Sequence, residues 1–553
     1  MLETDIPTYA GGLGILAGDL LKSCADKQVK AVGISLVYSG STFSQVINSD
    51  GTQNFKKIEF KKMDQLKKLQ NTIILNLMGK RVTVGVWRYD IVGLGGFVVP
   101  VYLLDTDLHS NEDWARNITK NLYVGDGMTR IYQELLLGVG GVKMLRNLGY
   151  NEISNFHMNE GHAAFAPLEL LVEDNYDLEK VKQKCVFTTH TPVPEGHDRF
   201  DYDFAYKYLG DFLPWNIKEL ATNDKLSMTD LAINCSNKAF AVSKKHKYVA
   251  NKMFPQANID YITNGVHAPS WIAPQKQVLY SEYLPNWVGD NSVFLKAPDL
   301  IPDDAFFAIH NDCKRELLEY VNERLTSVTG ESEKTNPPAD HLFDINTLTI
   351  AMARRPVSYK RPLLLYKDLE RFLRIGVGKL QIIQCGKSHP QDEVSKEYVR
   401  KIIEISKRLK TVLKIVYLED YSPKIARLLV AGSDIWLNTP RRPMEASGTS
   451  GMKAALNGVI NFSVLDGWWI EAFEKNPEAG FSIGVLDPLE STSPSNDNED
   501  SDSLYKRLEQ EIIPLYYDHK TEWIKKMKKS ITLGAYFNTS RCIDEYLEKA
   551  WRN

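Results

Sequence analysis

The sequence predicts an α/β protein built from two parallel-sheet domains that face each other. Three observations carry that reading. In the second half, strand-like runs at Leu348–Ala351, Leu380–Cys385, Lys414–Leu418, Asp434–Asn438 and Val459–Val464 are separated by helical segments. Strands alternating with helices form parallel sheets with helices on both faces. The first half repeats the alternation with extra strands. Clusters rich in Gly, Arg, Lys and His follow several strands directly, where open parallel sheets hold ligands.

In chain order, a loop from Pro7 to Gly14 runs into a helix with Ile15, Leu16, Leu20 and Cys24 on one side. Ala31–Tyr38 reads as a strand. Val82, Val84 and Val86 have the period of a half-buried strand, and Phe97–Leu104 reads as a buried one. Residues 127–148 predict a long, mostly buried helix. A strand at Ile153–His157 leads into Gly161-His162, and one at Val186–His190 leads into Thr191-Pro192-Val193-Pro194. Alternation fades over 272–345, where Gly330–Asn336 and Pro337-Pro338 mark a loop or boundary. Residues 488–503 read as a solvated acidic loop. The expected division is an N-terminal domain at 1–271, a C-terminal domain at 272–502 with its boundary anywhere in 272–345, and a helical tail at 503–553 packing back on the N-terminal domain.

Composition excludes several classes. The chain has 553 residues, with 67 Lys+Arg against 70 Asp+Glu and a net charge of −3. That balance offers no polyanion surface, so nucleic acid is not an expected partner. The cysteines Cys24, Cys185, Cys235, Cys313, Cys385 and Cys542 show no C-x-x-C spacing, which fits a reducing cytoplasm rather than a disulfide frame or zinc site. No apolar run approaches the roughly 18 residues of a membrane span. Met1–Asp5 lacks the regions of a signal peptide. A soluble intracellular enzyme is expected.

Three clusters carry candidate chemistry. Gly11-Gly12-Leu13-Gly14 before a helix is either an anion site or a tight turn. Arg354-Arg355-Pro356-Val357-Ser358-Tyr359-Lys360-Arg361 puts four cations after a strand, as a phosphate site or a solvated basic face. Arg441 to Lys453 combines small residues, the acceptor Glu445, and Lys453 just before the apolar Ala454-Ala455-Leu456. A lysine beside apolar residues can be tuned for Schiff-base chemistry, or be an ordinary surface lysine. His190 ends a strand and is a candidate polar ligand. His197 and His267 stay undecided between loop structure and substrate contact. His157 and His162 lack the partners of a metal site, and no metal is expected.

Taken together, these clusters resemble the glycogen, starch and maltodextrin phosphorylases, in style the short prokaryotic and archaeal type. Thr188-Thr189-His190-Thr191-Pro192, Ile262-Thr263-Asn264-Gly265-Val266-His267 and Leu465-Asp466-Gly467-Trp468-Trp469 extend the match in order over most of the chain. The resemblance implies two Rossmann-like domains facing across a cleft, the GT-B arrangement. It implies pyridoxal 5'-phosphate bound as a Schiff base to Lys453, its phosphate near Arg354, Lys360, Thr449 and Ser450, and Tyr421 beside its ring. It assigns substrate phosphate to Arg355, Lys360 and the Gly12 amide, with Leu13 alongside. It assigns the glucosyl unit to Asn264, Glu445, Ser447 and Gly448, with His190 nearby. Lys453, Arg355 and Lys360 are the implied catalytic residues. The implied reaction is reversible, retaining phosphorolysis of an α-1,4-glucan or maltodextrin by orthophosphate to give α-D-glucose 1-phosphate. No nucleic acid or membrane enters, and a homo-oligomer is left open.

The chain departs from the family pattern in three places, one being the regions that contact long glucans, which are not matched. Only ten residues precede Gly11, so the phosphorylation and nucleotide control known in animal members is not expected. Arg354 stands where many relatives have lysine. The chief rival is a nucleotide-sugar-dependent glucan synthase of the same fold. Such enzymes carry two glutamates separated by seven residues in this loop, whereas here Glu445 is followed, after seven intervening residues, by Lys453. A non-catalytic glucan-binding descendant would be expected to lose Lys453 or Lys360, and both are present.

Overall fold

The computed structural model describes residues 6, 8, 11–40, 43–48, 50–58, 60–122, 125–327, 342–485, 489–491 and 493–551. The chain groups into two units. Unit 1 comprises Met1–Phe43, Lys57–Thr263 and Thr539–Asn553, and unit 2 comprises Ser44–Lys56 and Asn264–Asn538. The main crossing falls between Thr263 and Asn264, before the 272–345 stretch. The tail is divided: Thr539–Asn553, with the last helix Thr539–Lys549, belongs to unit 1 and 503–538 to unit 2.

The strands among the described residues are β1 Gly33–Leu36, β2 Phe43–Ile47, β3 Gln53–Lys57, β4 Lys67–Leu77, β5 Lys80–Val92, β6 Val98–Asp105, β7 Phe156–Asn159, β8 Cys185–Thr188, β9 Arg199–Phe200, β10 Leu226–Ser227, β11 Lys238–Ala241, β12 Ile259–Tyr261, β13 Leu348–Ala353, β14 Leu380–Cys385, β15 Lys414–Leu418, β16 Ile435–Asn438, β17 Ile460–Val464 and β18 Gly480–Ile483.

Unit 1 holds two four-stranded sheets. The first runs β1-β6-β5-β4, with β5 antiparallel to both neighbours and β1 parallel to β6. Val82, Val84 and Val86 of β5 are all buried, as their period of two requires. The second sheet, β12-β11-β8-β7, is wholly parallel. The predicted helix at 127–148 forms from Gly127 to Asn147 with a π-helical segment at Leu136–Gly140. Asp126 caps it by accepting from the amides of Met128 and Thr129 at 3.1 Å each. Gly138 lets it pack closely, since a Cβ there would meet the Ala166 amide nitrogen at 2.6 Å.

Unit 2 is doubly wound. Its parallel sheet has the order β15-β14-β13-β16-β17-β18. The chain moves outward from β13 to β15, then returns to start β16 on the other side of β13. The order therefore reverses between β13 and β16, the switch point at whose carboxyl edge such sheets bind ligands. Every residue of β13 and β14 is buried, as expected of strands covered on both faces. The helices Pro274–Tyr283 and Asp303–Ser327 fill the region where alternation faded. Leu317, Leu318 and Val321 of the longer one share a core with Ala351, Ile383 and Trp436. Asp434, at the foot of β16, accepts from Lys314 Nζ at 2.6 Å and His310 Nε2 at 3.2 Å. Lys314 also reaches the Tyr516 hydroxyl at 3.0 Å, which ties the C-terminal helices to the sheet.

Some expectations need correction. The acidic stretch is not a solvated loop throughout, because Asp497–Arg507 is a helix. Asn496 caps it, and Asp497, Glu499 and Asp500 lie in its first turn, where free amides favour negative charge. The strand expected at Ile153–His157 runs instead from Phe156 to Asn159, the register that buries Phe156 and Met158. Strands β11, β12 and β18 were not foreseen; they are three or four residues long, too short for a period to show. The proposed loop at 330–338 lies outside the described residues. No described helix is long and apolar enough to cross a membrane.

Candidate active site

The switch point of unit 2 gathers most of the predicted residues. β13 ends at Ala353, so Arg354 emerges at the carboxyl edge beside the end of β16. Its guanidinium donates to the Asn438 side-chain oxygen, to Thr439 Oγ1 at 3.0 Å and to the Leu437 carbonyl at 3.3 Å. All three acceptors are neutral, and Arg354 Nε is buried with no hydrogen-bond partner. Burial pulls the guanidinium down to about 10, against the field of Glu445. A desolvated cation held only by neutral groups is a ready site for an anion.

Lys360 lies six residues on, at the end of a single 3-10 turn, Ser358–Lys360. It pairs with Glu445 across the switch point. Burial alone would lower this ammonium, but the Glu445 carboxylate outweighs it and holds it above its ordinary value. The sequence reading placed Lys360 on phosphate and Glu445 on sugar, and the structure joins them directly. Asp466 positions the Glu445 loop: its carboxylate accepts from the Glu445 and Gly467 amides at 2.9 Å each. Gly467, at φ +53°, passes so close that a Cβ would meet the Ser447 carbonyl oxygen at 2.4 Å. Ser447 Oγ is buried without a partner.

Lys453 is not just before a helix but inside one, Thr449–Leu456, whose N-cap is Gly448 at φ +91°. It is buried, and its ammonium sits 3.7 Å from the centroid of the Trp271 ring. Asn457 holds this pair in place by donating to the carbonyls of Lys453 and Trp271 at 2.8 Å each. Ser450 accepts from Trp436 Nε1 at 3.2 Å, and Thr449 opens the same helix. Arg355 stands apart: its side chain is 54% exposed and lies 3.5 Å from Asp392. Tyr421 follows β15 and packs at the margin of the unit 2 core. Asn264 is buried at the first position of unit 2.

In unit 1, Gly12 and Leu13 open the helix Gly12–Asp26. A Cβ at Gly11 or Gly12 would meet nothing within 4 Å. His190 follows β8, and a group the sequence reading missed surrounds it. Its Nε2 lies 2.7 Å from Asn159 Oδ1, and its amide donates to Glu160 Oε2 at 2.7 Å. Thr191 Oγ1 adds a bond to the same carboxylate at 2.9 Å. Glu160 is buried at a left-handed φ of +76°. Burial raises its carboxyl, but His190, His197 and His162 hold it net below its ordinary value. Burial pulls His190 itself down to about 4, so its imidazole is neutral. The available signal was Glu160's place directly after a strand. His157, His197 and His267 bond to Thr188, Thr229 and Ser270. Among the described residues no three His, Cys, Asp or Glu could hold a metal ion.

The residues of unit 2 fit pyridoxal phosphate. Lys453 is a buried amine beside an aromatic ring, and Arg354 is a buried cation with an unmet donor. Thr449 and Ser450 add the amides of a helix start.

Comparisons with known proteins agree with this chemistry. The carbohydrate phosphorylase family model matches residues 211–510, and a starch synthase catalytic domain model matches residues 6–257. A maltodextrin phosphorylase from Thermococcus litoralis is 37% identical, over 99% of this chain and 69% of its own. A glycogen phosphorylase from Aquifex aeolicus is 33% identical, over 98% of this chain and 83% of its own. An uncharacterized protein from Methanocaldococcus jannaschii is 31% identical, over 100% of this chain and 98% of its own. Two α/β units, one with cations gathered at its switch point, make this chain a glycosyltransferase. Within that class it belongs to the carbohydrate phosphorylase family.

Proposed function

We propose that this chain is a pyridoxal-phosphate-dependent α-glucan phosphorylase. It removes the non-reducing glucosyl unit of an α-1,4-glucan with orthophosphate, reversibly and with retention, to give α-D-glucose 1-phosphate. The observation that carries the reading is Arg354: a buried guanidinium with only neutral partners, at the switch point that also presents Lys360.

Lys453 would hold the cofactor covalently, with Arg354, Lys360, Thr449 and Ser450 around its phosphate and Tyr421 by its ring. When bound, the cofactor supplies a phosphate group that passes a proton to and from the substrate phosphate. Arg355 and Lys360 neutralise the orthophosphate dianion and keep it oriented. Asn264, Glu445, Ser447 and Gly448 hold the sugar. Fixed donors aimed at developing charge cost no reorganisation during reaction. Lys360 can turn from Glu445 to an arriving phosphate, which leaves that carboxylate to accept a sugar hydroxyl. Six buried free cysteines support a reducing, cytoplasmic setting.

The match of residues 6–257 to a starch synthase domain favours a second reading, sugar transfer from a nucleotide donor. Lys453 in place of the second glutamate speaks against it. The test is to incubate the cofactor-loaded protein with maltodextrin and orthophosphate and assay glucose 1-phosphate. Release without nucleotide or added metal is expected. Turnover only from UDP- or ADP-glucose would replace this reading with the synthase.

A further inference from the structure

Arg361 completes the basic run after β13, yet it is not available to a ligand. Its side chain is only 4% exposed and is fully engaged. Nε donates to the Thr439 carbonyl at 2.9 Å, and one terminal nitrogen donates to the Pro440 carbonyl at 2.7 Å and to Asp500 Oδ2 at 2.6 Å. The other terminal nitrogen reaches Asp497 Oδ1 at 3.0 Å. Asp497 also receives Arg441 at 2.9 Å. Asp500 is buried, and Gly484 makes room for it: a Cβ there would meet Asp500 Oδ1 at 2.4 Å.

These bonds lace together the two loops at the switch point. Thr439 Oγ1 faces the Lys360 and Arg361 carbonyls at 3.0 and 3.2 Å, and it receives Arg354. The Arg441 amide donates to the Tyr359 carbonyl at 2.6 Å. Arg361 itself sits in the left-handed region, at φ 46° and ψ 59°. A non-glycine residue keeps such a conformation only where its surroundings over-determine it. Here the over-determining groups are Asp497 and Asp500, from the acidic stretch that composition reads as solvated.

We propose that Arg361 and Asp500 are positioning residues: their buried ion pair holds the 358–361 turn so that Lys360 is presented to the orthophosphate. This deepens the function proposed above and rests on it for the identity of the anion. Neither residue touches the ligand. A shift of about 1 Å in an anchoring group can cost on the order of 100-fold in a bound geometry.

The experiment compares wild type with Asp500→Asn and Arg361→Gly. The first keeps the shape and removes the charge. The second removes the guanidinium but accepts the left-handed backbone, so it separates bonding from strain. Orthophosphate binding to cofactor-loaded protein is measured by calorimetry, and KM for orthophosphate and maltodextrin by kinetics. Both variants should weaken orthophosphate about tenfold or more while maltodextrin KM moves less than about threefold. A lower melting temperature with orthophosphate affinity within about twofold of wild type would overturn the proposal and leave the pair a structural tie. Should a variant fail to fold, Asp497→Asn, on the exposed side of the same guanidinium, gives the graded version, and no weakening of orthophosphate there overturns the proposal. If wild type binds orthophosphate but releases no glucose 1-phosphate, the proposed function falls and the latch is still judged on binding. If wild type binds no orthophosphate, both fall.

Discussion

Lys453 is the only residue asked to make a covalent bond, so it gives the sharpest single-residue test. Lys453→Ala should yield folded protein without covalently held pyridoxal phosphate. Borohydride trapping and peptide mass analysis of wild type should mark Lys453, and a label on another lysine would refute the assignment. Lys360 has a double role, and its loss also strands the Glu445 carboxylate, whose side chain is 8% exposed. Lys360→Ala should therefore cost about 2–4 kcal/mol in kcat/KM, or about 30- to 1,000-fold. Arg355→Ala should cost less, because its side chain is half exposed. Kinetics at varied phosphate and varied maltodextrin decide the order; equal effects would show that burial is not what separates them. Individual residues were legible in sequence where they follow long strands, as Arg354 and Lys360 do. Their partners were not, because Lys360 meets Glu445 and His190 meets Asn159 only through sheet order. Arg361 could not be told from its neighbours for the same reason: the four cations of 354–361 look alike until their acceptors are in place.

Among elements, the helix Thr449–Leu456 and the helix Gly12–Asp26 invite opposite outcomes from one kind of substitution. At Gly451 a Cβ would meet Asn461 Oδ1 at 2.4 Å and the Trp468 ring at 2.8 Å. Gly451→Ala should destabilise by about 1–3 kcal/mol through overpacking. At Gly12 a Cβ meets nothing, so Gly12→Ala should leave stability equal or higher by about 0.4–1 kcal/mol. Melting curves of both variants check this. Elements with apolar runs, such as β13 and β14, could be read from sequence because burial on both faces demands such runs. The three- or four-residue strands β11, β12 and β18 could not, since their neighbours rather than their own residues define them.

Across the whole molecule, both units bury neutral histidines. Burial pulls His246 of unit 1 and His310 of unit 2 down to about 4 from 6.5. Around His310, Lys276 and Lys314 add to the lowering, and Asp434 opposes it. A histidine lowered on folding binds its proton more weakly in the native state than in the unfolded chain. Its contribution is complete above about pH 6.5 and is lost as pH falls toward 4. Each such group removes up to about 1.4 kcal/mol per pH unit within that window. The melting temperature should fall steadily from pH 6.5 to 4.5 and stay nearly level from 6.5 to 8. A flat profile on the acid side would mean these imidazoles gain compensating charge partners.

The discontinuity of unit 1 sets a timetable for biosynthesis. Its closing helix, Thr539–Lys549, supplies Cys542 and Tyr546 to a core with Val186, Phe240 and Ile262. The ribosome reaches Thr539 only after translating all of Asn264–Asn538. At about 5–20 residues per second, that interval is roughly 14–55 s. Throughout it, the nascent chain keeps Val186 and Phe240 uncovered while the long second segment of unit 2 emerges and can fold. Chains ending at residue 538 should accordingly bind hydrophobic-surface chaperones through unit 1, and chains freed from the ribosome with residues 539–549 present should release them.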